Sequence, residues 1–146
     1  MQKKLNIALV LYIIFVFGQS LFFKFQGSEE TVIIFSTIAD WMASIGIPAG
    51  LAELFKQHGG NAVGIAELIA CFLLIFNSTR FYGALLSLGV ISGAIFFHLF
   101  TPLGVNRVVD AAGNTDGGIL FFMACGVWVC SFILLFTSRK RKGTFR

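Results

Sequence analysis

Charge is scarce in this chain: 12% of its 146 residues are Asp, Glu, Lys or Arg. An ordinary soluble domain carries about 25%, so a water-facing globule is excluded. Proline is nearly missing as well, with two in the whole sequence. The apolar runs are continuous and not alternating, which excludes a barrel in favour of helices. Cysteine is limited to Cys71, Cys125 and Cys130, all within apolar runs and without a CxxC pair. Cys125 and Cys130 point to different faces of one helix, so the three read as packing residues, with an inter-helical bond to Cys71 as the alternative. One histidine and one glutamate in the apolar part, with no thiol beside them, do not make a ligand set, and no metal site is expected. Phosphate loops, haem-attachment motifs and nucleophile elbows are missing too. No stretch is left for a separate soluble catalytic domain, so the chain reads as one domain.

What the sequence has in abundance is apolar surface, with 57% hydrophobic residues and 18 Phe. That composition is the mark of an integral membrane protein lodged in a lipid bilayer. Crossing a hydrocarbon core of roughly 30 Å takes about 20 residues, and four runs qualify, at about 5–25, 61–77, 81–100 and 118–137. The first has a signal peptide as its alternative reading. It ends in Gln19, Ser20, Leu21 and FFKF with no small-residue cleavage site, so a retained helix is expected. Ser28 followed by Glu29 and Glu30 predicts a capped helix start. Apolar residues at three-and-four spacing from Val32 to Ile45, opposite Ser36, Asp40 and Ser44, predict a helix lying in the membrane interface. Gly46 ends it and Pro48 opens a further helical piece, giving an interfacial segment over about 31–58. Gly59, Gly60 and Asn61 then break or bend the chain, and whether 48–77 is one kinked helix or two stays open. The short polar link Asn77 to Arg80 predicts an antiparallel hairpin. The expected fold class is all-α, an integral membrane four-helix bundle with a short interfacial helix between the first two crossings.

Four crossings put both termini on one side. If that side is the cytoplasm, Lys3, Lys4, Arg80, Arg139, Lys140, Arg141, Lys142 and Arg146 lie inside and Lys24, Lys56 and Arg107 outside, in keeping with the positive-inside rule. Arg80 and the cluster Arg139, Lys140, Arg141 and Lys142 read as topology anchors or contacts to lipid headgroups. The net charge of +4 is therefore explained by membrane ends, and no nucleic acid partner is expected. Gly83, Gly89 and Gly93 permit close helix approach, with Gly89 and Gly93 forming a GxxxG pair.

Glu67 stands out, a carboxylate inside the run NAVGIAELIACFLLIF. In lipid such a group costs about 2.5–3.5 kcal/mol on insertion scales, so it faces protein or water and calls for a partner. At a rise of 1.5 Å per residue, Gln19 and Glu67 come out at similar depth, and Lys24 and His98 close to the outer surface. The sequence predicts a polar cluster of Gln19, Lys24, Glu67 and His98, with Asp40 closing its top. Either the cluster marks a ligand or proton path, or Glu67 is neutral or paired with Lys24 simply to fix helix register.

A first helix ending in FGQSLFFKF, GIP at Gly46 to Pro48, a glutamate in the second crossing, an arginine at the following turn and a histidine late in the third resemble the DoxX-like family of small four-helix membrane proteins. The resemblance runs from about Leu11 to Leu103. It implies a bacterial inner-membrane protein associated with redox complexes, similar to a membrane subunit of thiosulfate:quinone oxidoreductase. A quinone and a membrane or periplasmic redox partner are implied with it, and no tightly bound cofactor. Lys24, Glu67, Arg80 and His98 occupy family-pattern positions, but no catalytic role transfers with them. A noncatalytic scaffold or assembly factor is the alternative, a small transporter acting as a homo-oligomer a further one.

Overall fold

A computed structural model of the protein describes residues 1–139. Among them are five helices and no strand: α1 Gln2–Phe25, α2 Glu29–Ser44, α3 Ala49–Ile75, α4 Arg80–Phe100 and α5 Ile119–Arg139. Lys140, Arg141 and Lys142, counted among the basic anchors, lie outside the described residues. Four helices, all but α2, are long and apolar enough to cross a membrane, so the expected all-α four-helix bundle of a multi-pass membrane protein is what the chain forms. α2 has 16 residues, short of the roughly 20 that a crossing needs.

The helix ends follow from local chemistry. α1 and α2 stop in the same way, at a glycine with positive φ, Gly27 at +60° and Gly46 at +91°. After each, the backbone reaches back to satisfy the last carbonyls: Gly27 and Ser28 donate to Lys24 and Phe23, Gly46 and Ile47 to Ala43 and Met42. This is the pairing of a Schellman cap, which a left-handed glycine makes easy. Ser28 then caps α2, its Oγ accepting from the Thr31 N–H at 3.2 Å. At the start of α5, Asp116 accepts from the N–H groups of Gly118 at 2.8 Å and Leu120 at 3.4 Å.

At the tight turn between α3 and α4, side chains cap the carbonyls that α3 leaves unpaired. Thr79 Oγ1 donates to the Leu73 oxygen at 2.8 Å. The buried Arg80 donates through Nε to the Leu74 oxygen at 3.0 Å and through its other nitrogens to Ile75 and Asn77. Arg80 is thus held by the end of α3, with 8% of its surface exposed.

Around the bundle, α1 packs on α3 and α5, and α4 packs on the same two. The ring order is therefore α1, α3, α4, α5, with antiparallel neighbours. Its core includes Val10, Ile13, Phe17, Ala70, Leu74, Ala84, Val127 and Leu134. Gly83 lets α3 and α4 meet, since a Cβ there would lie 2.8 Å from the Leu74 backbone nitrogen.

The expected interfacial segment over 31–58 needs correcting. α2 ends at Ser44, and 49–58 are the opening turns of α3, which continues unbroken through Gly59, Gly60 and Asn61. Those glycines make room where α2 crosses. A Cβ on Gly59 would come 2.7 Å from the Phe35 ring and one on Gly60 3.2 Å from Thr31 Cγ2. Each glycine costs about 1 kcal/mol of helix propensity, offset here by close packing. α2 also reaches α4, where Trp41 meets Phe96 and Phe97 edge-on at 6.4 Å between ring centroids.

Candidate functional site

Ser20 and Lys24, separated by one turn of α1, share the face that meets α3. Lys24 Nζ donates to both oxygens of Glu67, at 2.8 Å and 3.0 Å. Ser20 accepts from Lys24 and donates to Glu67 Oε1 at 3.4 Å. Glu67 is 4% exposed. Such a buried carboxylate, removed from its partner, would be strongly unfavourable, whereas paired and hydrogen-bonded it persists.

The pair sits in the wall of a cavity of about 440 Å³, within the roughly 300–1,000 Å³ of small-molecule sites. Its walls come from all five helices: Ser20 and Lys24 of α1, Glu30 to Ile38 of α2, Phe55 and Ala62 to Glu67 of α3, Gly89 to His98 of α4, and Leu120 of α5. Most of that lining is apolar, and the polar groups are few. His98 is buried beneath the loop that follows α4, its Nδ1 2.7 Å from the Gly104 carbonyl oxygen. A carbonyl can only accept, so Nδ1 carries the proton. In the neutral ring Nε2 is then the acceptor. Phe121 holds the ring edge-on at 5.7 Å.

Three of the four expected cluster residues, Lys24, Glu67 and His98, line this one cavity. Gln19 does not. It lies on the exposed face of α1, and Ser20 takes the position that depth alone assigned to its neighbour. Adjacent residues differ by about 100° around a helix, enough to turn one toward α3 and the other away. Asp40 is likewise exposed, and the acid that reaches the cavity from α2 is Glu30, near its start. Arg80 stands apart from the cavity, at the α3–α4 turn. Cys71, Cys125 and Cys130 are free thiols. Among the described residues, no group of three His, Cys, Asp or Glu side chains could hold a metal ion.

Sequence reasoning missed Arg107. The loop 101–118 turns back through a single bridge between Val108 and Thr115, and Arg107 in it is 2% exposed. It pairs with Glu30 of α2 and, through Nε at 3.2 Å, with Asp116 of its own loop. Burial draws its guanidinium below the ordinary value, and the Asp116 carboxylate opposes that. Glu29 accepts from the Ala111 N–H at 2.7 Å, so both acids that open α2 are fastened to the loop. At the exposed tip, hydrogen bonds from the Asn114 side chain and backbone hold the Asp110 carboxyl below the usual carboxylate range. Arg107 with Asp116 nearby was the one local signal. Its partner on α2 is distant in sequence, and nothing local announces it.

No family model, curated protein or solved structure matches the chain. The fold and the site define it as a multi-pass helical membrane protein with an ion-paired, largely apolar cavity.

Proposed function

We propose that the protein is a redox-associated membrane subunit that holds the polar head of a quinone in this cavity, the role that the DoxX-like resemblance implies. One observation carries the reading: an apolar cavity of small-molecule size has the Lys24–Glu67 pair, its carboxylate buried, and a histidine in its wall. Ionisable groups at such depth commonly mark ligand or proton paths. Lys24 donates to a ring oxygen, His98 Nε2 accepts from a hydroxyl, and Glu67 exchanges the proton that accompanies electron transfer. The electrons come from a partner protein or directly from substrate, since the chain carries no motif for a bound redox group. The excess of basic residues at the end holding the N-terminus supports cytoplasmic termini in a bacterial inner membrane.

The second reading, a noncatalytic scaffold, draws on the fact that Lys24 and Glu67 already satisfy one another. Mass spectrometry of gently solubilised protein separates the two. The quinone reading expects a bound quinone in the native sequence and its loss in Glu67→Gln, with the variant still accumulating in the membrane. A partner protein retained by both forms, with no small molecule in either, overturns it in favour of the scaffold.

A further inference from the structure

We infer that the cavity is filled sideways from the bilayer, by a neutral amphiphile with one apolar chain, through an opening between α3 and α4 framed by Ala62, Ala66, Gly89 and Gly93. The inference rests on reading the cavity as a ligand site and adds the direction of access and the charge and shape of the ligand.

The four framing residues line the cavity, yet Ala62 and Gly89 are exposed on the outside of the bundle and Ala66 and Gly93 are half-buried. The lining therefore reaches the outer surface along this seam. A Cβ built on Gly89 or Gly93 would meet nothing within 4 Å, so these glycines are not there to bring helices together. The surface beside them is apolar, with Ile65 at 53% and Leu85 at 51% exposure. In a helix long and apolar enough to cross a membrane, such surface faces lipid, so the opening gives onto acyl chains and not onto water.

The wall also selects the head. Lys24 is its lysine or arginine, and it is already bound to Glu67, while Glu30 is bound to Arg107. A phosphate or carboxylate entering would find both cations beside these acids already holding a carboxylate, Lys24 that of Glu67 and Arg107 that of Glu30. Hydroxyl and carbonyl groups bring no charge that needs a free cation, and Lys24 and His98 offer them a donor and an acceptor. Residues 62 to 66 and 89 to 93 each span about 6 Å along their helix, a length suited to one acyl chain and not to two side by side.

The test uses the full-length protein in phosphatidylcholine nanodiscs. The probes are a long-chain alcohol bearing a diazirine at mid-chain and the phosphate ester of the same alcohol, with cross-links mapped by mass spectrometry. The alcohol should label the 62–66 and 89–93 segments and compete with unlabelled alcohol. Gly93→Leu, whose Cβ would meet nothing within 4 Å and whose branched end would narrow the opening, should cut labelling there roughly tenfold while the melting temperature does not fall. Gly89→Leu, at the exposed lip, is the second variant and should act in the same direction. The phosphate ester should label roughly tenfold less than the alcohol. Even labelling over all lipid-facing residues, labelling unchanged in both variants, or equal labelling by the ester overturns the inference. The alcohol lacks the quinone–quinol couple and cannot serve as an electron acceptor in its place. Site-specific labelling without any bound quinone would therefore retain the inference and defeat the quinone reading, whereas bound quinone with labelling indifferent to both variants would do the reverse.

Discussion

Gly83 and Gly93 stand on the same helix and do opposite things. At the turn end, Gly83 is pressed against the backbone of Leu73 and Leu74, next to an arginine that caps α3. At the loop end, Gly93 faces empty space in the wall of the cavity. One glycine is required because there is no room, the other leaves room unfilled. The bundle is closed at one end and open at the other, and its ionisable groups follow suit: Arg80 serves backbone carbonyls, while Lys24 and Glu67 serve each other beside a void.

Substitutions at the two ends would break or sharpen that contrast. The largest effect is expected at the open end, from Lys24→Met, which leaves Glu67 buried without its cation. Removing one partner of a buried pair costs about 3–5 kcal/mol, and Glu67→Gln added to Lys24→Met should restore part of it. Thermal unfolding in detergent reads both, and a double variant no better than the single would show that the pair does not act as one unit. Next comes Gly83→Ala at the closed end. The added methyl lies 2.8 Å from a backbone nitrogen, and overpacking of this kind costs about 1–3 kcal/mol. A melting temperature unchanged by Gly83→Ala would mean that α3 and α4 can part there cheaply. The smallest effect is that of Gly93→Ala, which should stabilise by up to about 1 kcal/mol through helix propensity alone. If Gly93→Ala destabilises the fold instead, the cavity wall is less open than its geometry indicates.

Much of the fold could be read from the sequence because membrane helices announce themselves by length and apolarity, and Ser28, Gly46 and the Asn77–Arg80 link mark element ends by local chemistry. Pairing of Lys24 with Glu67 is one of the readings the sequence leaves open, since a buried carboxylate calls for a partner, while depth itself matches Glu67 to Gln19. Depth says nothing about direction around a helix, so Gln19 was chosen where Ser20 belongs. Glycine carries the same ambiguity. Gly59 and Gly60 suggested a break or a bend and left one helix or two open, and they let α2 cross a continuous α3, while Gly89 with Gly93 suggested a helix contact but face open space. A glycine records only that no side chain is tolerated or needed, and the neighbour that decides between those comes from elsewhere in the chain. Arg107 illustrates the same limit for charge, because its partner Glu30 lies on another element far away in sequence.

α2 is bounded by Gly27 and Gly46, and its first turn is clipped to the loop 101–118 through Glu29 and Glu30. The same loop grips His98 through Gly104. Helix α2, the loop and the His98 imidazole are thus tied into one continuous run of contacts that leads from the cavity wall to the exposed tip of the loop.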